Sequence, residues 1–438
     1  MRRLLPLLVV CAAPAPAAAN PLDAFGFGAR GMALGSAMTA ISDDFSANYY
    51  NPAGLAAGEA FRLELGYALI KPSLSIGGGD QDVDASRGFQ GGVVLPGRVW
   101  GRRLGFSIGL HLPDERVSRI RALPQRQPRW VLWDNRPQRI VITSSAAFEV
   151  LPGLFVGAGL TYLANTSGTL DIDGQVSLTD ETHTRLTSAV DVDLAAVRYW
   201  AVGARYEPDE HWRFGLVWRQ DFSLRLDLDV RVEGAVTLGA ADAVVVPEGL
   251  FLFNSANDNL YSPMQAVAGA AYQGDGWLVA VDLGWVRWSA FPTPTASVDL
   301  TLDLGALDFA VPLPAAPVDP DFHDIVVPRV GVEWRCARGD WGALLLRGGY
   351  FYEASPAPGQ PGETNYVDAD KHGAALGLGV QLADPSGVFL RPVQLDLAGQ
   401  VIRVVSRTYR KDDPADPIGD YDASGDSLGF AATLGFSF

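Results

Sequence analysis

Few residues of this chain have the types and spacing that catalysis, metal binding or nucleotide binding requires. Gly26 to Gly31 match the pattern G-x-G-x-x-G, but that pattern binds a dinucleotide only between a preceding strand and a following helix. No strand pattern precedes it, so we expect these glycines to allow sharp backbone turns instead. Asp43-Asp44 and Asp412-Asp413 suit solvated or capping roles better than catalysis or calcium binding.

The histidines show no spacing typical of a metal site or a catalytic triad; they are His111, His183, His211, His323 and His372. No set of Ser, His and Asp residues forms a hydrolase pattern either. The sequence therefore predicts that the protein is not an enzyme and holds no metal and no cofactor.

Two other sets of residues are candidate ligand contacts. Four arginines recur at the polar positions of alternating segments: Arg213, Arg219, Arg329 and Arg347. They could bind a ligand carboxylate, or they could solvate and brace a polar interior. The apolar patch from Trp130 to Trp133 lies in an arginine-rich stretch, and such patches usually bind or pack. It could receive an apolar, anionic ligand, pack under neighbouring loops, or lie against lipopolysaccharide.

The composition limits the class of protein. The 438 residues include 34 Lys and Arg against 50 Asp and Glu, a net charge of −16, which argues against a nucleic-acid partner. Residues 1–19 have a basic start, a short apolar stretch and an Ala-rich end, which predicts a secretory leader cleaved before Asn20. A lipoprotein site at Cys11 is the alternative, but bulky Val10 precedes it where a small residue is expected. Cleavage leaves only Cys336, so no internal disulfide is possible.

Most of the remaining chain alternates between apolar and polar residues, as a strand with one buried face does. The clearest run extends from Trp212 through Val230. A barrel strand needs only about 9–11 residues to cross a bilayer, so the excess predicts a strand that continues above the membrane. No stretch has the length of uninterrupted apolar residues that a transmembrane helix needs. The predicted strands are 61–76, 86–96, 104–112, 138–150, 154–166, 188–206, 211–231, 262–273, 276–291, 323–336, 341–353, 371–383, 391–405 and 427–438.

The connections between these strands alternate in length. Even-numbered strands are followed by short turns such as Leu151-Pro152-Gly153, and odd-numbered strands by longer loops such as Ser167–Thr187. Short periplasmic turns and long external loops are typical of outer-membrane barrels. The last strand ends on Phe438 and resembles the signal that the barrel-assembly machinery recognises. The sequence thus predicts an all-β, transmembrane antiparallel β-barrel of about 14 strands at residues 61–438, in contact with outer-membrane lipid and lipopolysaccharide.

Residues 20–60 form a separate N-terminal unit in this prediction. The stretch Gly26–Leu55 is rich in Gly and Ala and ends in Asn51-Pro52-Ala53-Gly54. Pro52 fixes its own φ and restricts Asn51, so this turn is preorganised, and Gly54 permits a tight exit. Because the segment has no sustained apolar stripe, we expect a hatch that fills the lumen and is held by the polar wall rather than by a core of its own.

The hatch carries a resemblance to the FadL-type family of long-chain fatty-acid transporters, which includes channels for toluene and other aromatic hydrocarbons. The resemblance covers Gly31–Leu55 and returns in short stretches at 203–206, 213–215, 285–289, 347–350, 355–356 and 370–372. It implies a fourteen-stranded, monomeric barrel of the bacterial outer membrane that is plugged by its own amino terminus. It also implies that hydrophobic compounds diffuse inward without an energy source and leave sideways through a kink in the third strand.

The third predicted strand contains Gly105 and Gly109, and glycine inside a strand favours a bend. Pro113 follows His111-Leu112 and ends the hydrogen bonding there. We hypothesise a kink that opens a lateral path beside Gly105, Gly109 and His111, near Asn51–Ala53. The predicted function is passive uptake of long-chain fatty acids or hydrocarbons; the alternative is a structural or secretion-associated barrel without small-molecule transport.

Overall fold

The computed structural model describes residues 22, 26–114, 127–133, 139–177, 185–238, 243–292, 298–303, 318–383, 389 and 392–438. The predicted leader at residues 1–19 and its cleavage site before Asn20 lie outside the described residues. Within the described part of the chain, no helix has the length and apolar character needed to cross a membrane.

Fourteen strands close into one antiparallel barrel, which confirms the predicted fold. Each strand pairs with the next, and the last returns to the first along fifteen paired positions from Arg62↔Ser437 to Ile76↔Ala423. The strands are β1 (Arg62–Ile76), β2 (Ser86–Val99), β3 (Arg102–Pro113), β4 (Val141–Leu151), β5 (Leu154–Ser177), β6 (Arg185–Tyr206), β7 (Trp212–Arg219), β8 (Gln265–Gln273), β9 (Trp277–Val286), β10 (Ile325–Gly339), β11 (Gly342–Glu353), β12 (Lys371–Leu382), β13 (Val393–Tyr409) and β14 (Tyr421–Ser437).

The two faces of the wall differ as the alternation predicts. On β7, Trp212 and Leu216 are exposed on the outside, whereas Val217 and Arg219 are buried on the inside. On β9, the exposed Trp277 and Trp285 bracket an aliphatic band, as interfacial aromatic girdles do in outer-membrane barrels. The outer face is therefore built to meet lipid, and the core of the protein lies in the lumen.

The seventh predicted strand, 211–231, is not continuous. It breaks at Gln220, whose backbone N–H donates to the Trp200 carbonyl at 2.8 Å while its side-chain Oε1 accepts from the Trp200 N–H at 3.3 Å. These two bonds pair the backbone carbonyl and the backbone N–H of Trp200, and they end the hydrogen-bond ladder between β6 and β7. The chain then leaves the wall as a further strand, Phe222–Leu238, so the prediction of a strand continuing above the membrane holds for a separate element.

That further strand belongs to an outer sheet above the barrel. It forms an antiparallel hairpin with Ala243–Ser262, which also pairs with Val298–Asp303. Positions 228–237 run parallel to the outer half of β5. A two-residue strand, Gly79–Asp80, adds to the outer end of β1.

Several other strand bounds differ from the prediction. β5 continues to Ser177 and β6 starts at Arg185, so most of the loop predicted at Ser167–Thr187 is strand. β9 ends at Val286 and is followed by a 3₁₀ turn, Trp288–Ala290, instead of continuing to 291. β14 starts at Tyr421 rather than at 427, because the β13–β14 hairpin extends outward. The stacked rings of Tyr409 and Tyr421, 5.1 Å apart, stabilise this extension.

Residues 26–60 lie inside the barrel, against the inner wall. They form α1 (Ala29–Ala33), α2 (Ala47–Tyr50) and a 3₁₀ turn, Pro52–Ala56. We call residues 26–60 the hatch. Contrary to expectation, apolar packing also holds it: the rings of Phe27 and Phe45 meet edge to face at 4.8 Å, both are buried, and they belong to one apolar cluster with wall residues such as Val94 and Phe155. The absence of a regular apolar stripe did not predict this, because turns rather than a helix bring the two rings together.

Candidate functional site in the barrel lumen

The start of the hatch is a tight turn that the wall caps. Gly26 and Gly28 have φ of 77° and 78°, a region that favours glycine. The Gly28 N–H donates to Gln90 Oε1 on β2 at 2.9 Å, and the Ala29 N–H donates to Thr433 Oγ1 on β14 at 3.1 Å. Gly31 leaves room for the Tyr50 ring, since a Cβ there would lie 2.5 Å from the Tyr50 hydroxyl. The G-x-G-x-x-G glycines therefore shape the hatch.

Asn51 joins two parts of the hatch to the wall. Its Oδ1 accepts from the Ala53 N–H at 3.1 Å, and its Nδ2 donates to the carbonyls of Thr39 at 2.8 Å and Ala204, on β6, at 3.0 Å. Pro52 starts the 3₁₀ turn that follows. The predicted rigid turn therefore lies on the inner wall, and its side-chain amide is fully buried.

Arg205 on β6 supports the same turn. Its Nη1 donates to the Ser42 carbonyl at 2.9 Å, and its Nη2 pairs with Glu207 at 2.6 Å. Gly54 packs directly against this point, since a Cβ on Gly54 would lie 1.8 Å from the Ser42 carbonyl oxygen. A residue other than glycine at position 54 would separate the two halves of the hatch.

Glycines on the inner wall leave the room that the hatch occupies. At nine of them an added Cβ would come within 2.0 to 2.9 Å of a hatch atom, so backbone and side-chain atoms of the hatch occupy the space of the missing side chains. They lie on nine different strands and are Gly92, Gly105, Gly157, Gly203, Gly215, Gly269, Gly331, Gly349 and Gly377. We call this set the glycine ring. It makes the wall and the hatch complementary in shape.

Charged groups add a second set of contacts between hatch and wall. Arg30 pairs with Asp43 within the hatch at 3.2 Å and with Glu333 on β10 at 3.4 Å. Asp43 also pairs with Arg62 on β1 at 3.5 Å. The complete chain of ion pairs, which we call the lumenal network, is Arg62, Asp43, Arg30, Glu333, Arg347 and Asp396.

Neighbouring acids of the hatch titrate in opposite directions. Burial alone would raise the pKa of Asp43, but the guanidinium groups of Arg62 and Arg30 hold that pKa below its usual range. Burial and the negative charge of Asp43 raise the pKa of Asp44. Asp43 is thus stabilised in its ionised form, whereas ionisation of Asp44 opposes the closed arrangement.

Two of the four candidate arginines are engaged by the protein itself. Arg347 pairs with Glu333 at 2.7 Å and with Asp396, and it is buried. Arg219 donates to the Tyr49 carbonyl of the hatch at 3.0 Å and to Gln265 at 2.8 Å. Arg347 and Arg219 therefore brace the interior of the barrel, which is one of the two roles considered for them.

The other two candidates are less enclosed. Arg213 and Arg329 are half-buried on the inner wall, and the Arg329 guanidinium lies 5.8 Å from the centre of the Phe351 ring. The structure does not bring the four arginines together, since they lie on β7, β10 and β11.

The third strand is regular where a kink was predicted. β3 pairs with β2 from Gly88↔Pro113 to Val99↔Arg102, and with β4 from Leu104↔Phe148 to His111↔Val141, without a register shift. Gly105 and Gly109 face the hatch, and a Cβ on Gly105 would lie 2.3 Å from the Leu55 carbonyl oxygen. Because the pairing of β3 is unbroken on both sides, the predicted kink is absent from this structure. The glycines make room for the hatch instead of bending the strand.

His111 is buried on the inside of β3, and neither of its ring nitrogens has a hydrogen-bond partner in the part of the chain that the structure describes. Buried polar groups are nearly always hydrogen-bonded. An imidazole held in this way is a candidate for a functional role at the outer end of β3.

The tryptophan patch packs under a neighbouring loop. Trp130 and Trp133 are both almost completely buried. The backbone of Arg129 accepts from the Val367 N–H at 2.8 Å and donates to the Asn365 carbonyl at 3.2 Å. Of the three alternatives, the structure shows packing, and the patch is not an exposed landing surface.

An aromatic cluster lies at the outer ends of β8, β9 and β10. The Tyr261 ring stacks on Trp288 at 4.9 Å and meets Phe291 at 4.7 Å, while Phe291 stacks on Phe322 at 4.2 Å. All four side chains are buried. The rings pack against one another and form an apolar cluster above the outer ends of these strands.

Sequence reasoning missed most of the residues that hold the hatch. Arg30, Arg205, Glu333 and Asp396 were not candidates, although alternation places the last three on the inner face. The available signal was opposite charge at inward positions of different strands. Among the described residues, no group of three or more His, Cys, Asp or Glu is placed to hold a metal ion.

Comparisons with known proteins agree with this architecture. Residues 137–437 match the family described as outer membrane protein transport protein (OMPP1/FadL/TodX). Alkane uptake protein A of Marinobacter nauticus is 23% identical over 427 residues, which cover 93% of this chain and 89% of that protein. The crystal structure of the Pseudomonas putida toluene transporter TodX is 14% identical with a TM-score of 0.53, covering 94% of this chain and 99% of TodX. The crystal structure of a Pseudomonas aeruginosa FadL homologue is 14% identical with a TM-score of 0.52, and the match covers 94% of this chain and 97% of the homologue.

Proposed function

The chain belongs to the OMPP1/FadL/TodX family of outer-membrane transport proteins, and we propose that its cargo is neutral hydrocarbon rather than fatty acid. The family assignment places the protein in the bacterial outer membrane as a channel for hydrophobic compounds and not as an enzyme. It favours transport over the structural or secretion-associated alternative. Alkane uptake, the activity for which the Marinobacter relative is named, is the specific form proposed for this chain.

The observation that carries the choice of cargo is the engagement of the inner arginines. Arg347 already binds two carboxylates, and Arg219 binds a hatch carbonyl and Gln265. A fatty-acid carboxylate that used Arg347 would have to displace Glu333 or Asp396 and leave that buried charge uncompensated. One that used Arg219 would have to displace the Tyr49 carbonyl or Gln265 and leave a buried acceptor without its hydrogen bond. A neutral hydrocarbon needs no such cation, and apolar contacts alone favour its transfer out of water.

Uptake by cells that express the protein tests the proposed cargo. We expect labelled n-hexadecane to enter faster than in cells with an empty vector, and labelled palmitate to show no comparable gain. Because hexadecane does not bind Arg347 in this proposal, Arg347→Gln should not reduce hexadecane uptake more than it reduces palmitate uptake. The matched control is Arg403→Gln, because Arg403 pairs with Asp426 on the exposed side of the wall. Palmitate uptake that exceeds hexadecane uptake and falls in Arg347→Gln alone would contradict the proposal.

We further propose that cargo leaves sideways between β3 and β4. The inner positions there are small, and His111 ends the paired stretch at its outer side. Since the ladder is closed in this structure, release requires these strands to separate locally once the hatch has moved away from Gly105 and Gly109.

A reversible crosslink tests lateral release. Ser107 and Ser145 are directly paired on the inner faces of β3 and β4, within reach of a disulfide. In a Cys336→Ser background, oxidising Ser107→Cys with Ser145→Cys should slow uptake several-fold, and a reductant should restore it. The control pair is Ala375→Cys with Gln400→Cys on β12 and β13. Equal uptake before and after oxidation of the β3–β4 pair would exclude this exit.

A further inference from the structure

The turn between β2 and β3 is unusual for the residue at its tip. Val99 pairs with Arg102, so Trp100 and Gly101 alone form the turn, and their φ values are 51° and 76°. Positive φ at both positions is the mark of a type I′ hairpin turn, which favours Asn-Gly. A bulky residue with positive φ is a conformational outlier. Folding alone gives no reason for tryptophan here.

The tryptophan ring is also free of the protein. Trp100 is 92% exposed, the highest value among the exposed large apolar side chains of the described residues. Val99 and Leu95, which precede it on the outward face of β2, are exposed as well. The ring therefore continues the lipid-facing strip beyond the end of the strand, at the level where tryptophan meets lipid headgroups.

The same turn is locally basic in an acidic protein. Arg98, Arg102 and Arg103 lie within six residues, whereas the chain as a whole has a net charge of −16. Arg98 and Arg103 are directly paired on the inner face, where they contact Glu59 at 3.3 Å and Glu149 at 3.4 Å. Arg102 is paired with Val99 and so lies on the outward face, next to the tryptophan. By contrast, the short turn after β6 carries Glu207, Asp209 and Glu210.

The position of the turn selects its partner. It lies at the end of the barrel with the short connections, which faces the periplasm, so its tip meets the inner leaflet of the outer membrane. Guanidinium groups bind phosphate well, and basic residues beside a membrane attract anionic lipids. Continuity with the lipid-facing strip favours a lipid over a soluble protein.

We propose that Trp100 and Arg102 form a docking site for anionic phospholipid of the inner leaflet, with the ring inserted between headgroups and the guanidinium group on the phosphate. This site is separate from the lumen and from the cargo. It anchors the hairpin that contributes β3, the strand proposed to move in lateral release, and it exists whether or not that release occurs.

Native mass spectrometry of the detergent-solubilised protein, titrated with phosphatidylglycerol or phosphatidylcholine, tests this site. The wild type should bind phosphatidylglycerol more tightly. Arg102→Gln should weaken phosphatidylglycerol binding by about five-fold and phosphatidylcholine binding less, because phosphatidylcholine has the phosphate but no net charge. The matched variant Arg98→Gln, on the inner face of the same hairpin, should leave phosphatidylglycerol binding unchanged. Trp100→Asn should weaken binding of both lipids, although Asn-Gly suits the turn better and should preserve folding.

Two controls make the result specific. Trp212→Asn changes an exposed tryptophan at the same end of the barrel, after the acidic turn that carries Glu207, Asp209 and Glu210, and should leave phosphatidylglycerol affinity unchanged. Heat-modifiable gel migration should show that every variant forms the barrel. Equal phosphatidylglycerol affinity in the wild type, Trp100→Asn and Arg102→Gln overturns the proposal. The proposal is also overturned if the purified barrel retains an acidic periplasmic protein and binds both lipids equally well. That result would favour a protein partner for this turn.

Discussion

Replacing Asn51 with alanine should loosen the hatch from the barrel wall. The fully buried Asn51 side chain makes three hydrogen bonds, to Ala53, Thr39 and Ala204. Two of these close the hatch on itself, and the third joins it to β6. Alanine removes all three and introduces no new group that could replace them.

The size of the effect follows from these bonds. A neutral hydrogen bond contributes about 1 kcal/mol net, and a buried group left without a partner costs about 1–3 kcal/mol. Only the bond to Ala204 joins the hatch to the wall, so the two bonds within the hatch do not change the opening equilibrium when it moves as a unit. Loss of the wall bond costs the closed state about 1.4 kcal/mol, which corresponds to a factor of ten, so the open fraction of the hatch should rise by about ten-fold.

Single-channel conductance in planar bilayers measures that fraction. Wild-type barrels should conduct rarely, and Asn51→Ala barrels should show frequent openings of the size that removal of the hatch produces. The control is Asn365→Ala, because Asn365 is equally buried and accepts from the Tyr421 hydroxyl at 2.8 Å but does not contact the hatch turn. The reasoning is refuted if Asn51→Ala barrels remain as closed as the wild type, or if Asn365→Ala opens them to the same extent.

The neighbouring acids and the glycine ring give two further predictions. The lowered pKa of Asp43 contributes stability at neutral pH that is lost as pH falls, whereas the raised pKa of Asp44 imposes a cost that disappears as pH falls through it. At pH 7, Asp43→Asn should therefore lower and Asp44→Asn raise the midpoint of heat-modifiable unfolding, and the difference should shrink towards pH 3. Gly203→Val should raise conductance as Asn51→Ala does, because a Cβ at Gly203 would lie 2.0 Å from Asn51 Oδ1; unchanged conductance in this variant would contradict the role of the glycine ring.

The barrel is predictable from the sequence because its rule is local. Alternation of apolar and polar residues sets the two faces, and the lengths of connections set the two ends, so strands such as β9 can be read without knowing their neighbours. The break at Gln220 is different, because it depends on two hydrogen bonds to Trp200 on the adjacent strand. Nothing in the run from Trp212 to Val230 indicates which residue stops pairing.

The lumen is less predictable because its contacts join residues far apart in the chain. Alternation shows that Arg347 faces inward, but not that Glu333 and Asp396 already occupy it. The same limit applies to Gly105 and Gly109: glycine in a strand indicates either a bend or a close approach, and only the position of Leu55 decides for close approach. The patch at Trp130 is ambiguous for the same reason, since its cover comes from residues near Tyr366.

The way the hatch is assembled favours movement as a unit. Its apolar centre at Phe27 and Phe45 lies within the segment, so displacement from the wall does not have to separate those rings. Its contacts with the wall are hydrogen bonds, ion pairs and glycine surfaces, and water can replace the polar ones at a small net cost for each. The glycines offer no side chains that interlock with the hatch and resist sliding. Part of the apolar contact is shared with the wall, because Phe45 packs against Gly92 and Phe27 against Gly109, and exposing that surface on opening costs about 25 cal/mol for each Å². The shared apolar surface therefore opposes opening, whereas the polar contacts, which water can replace, oppose it little.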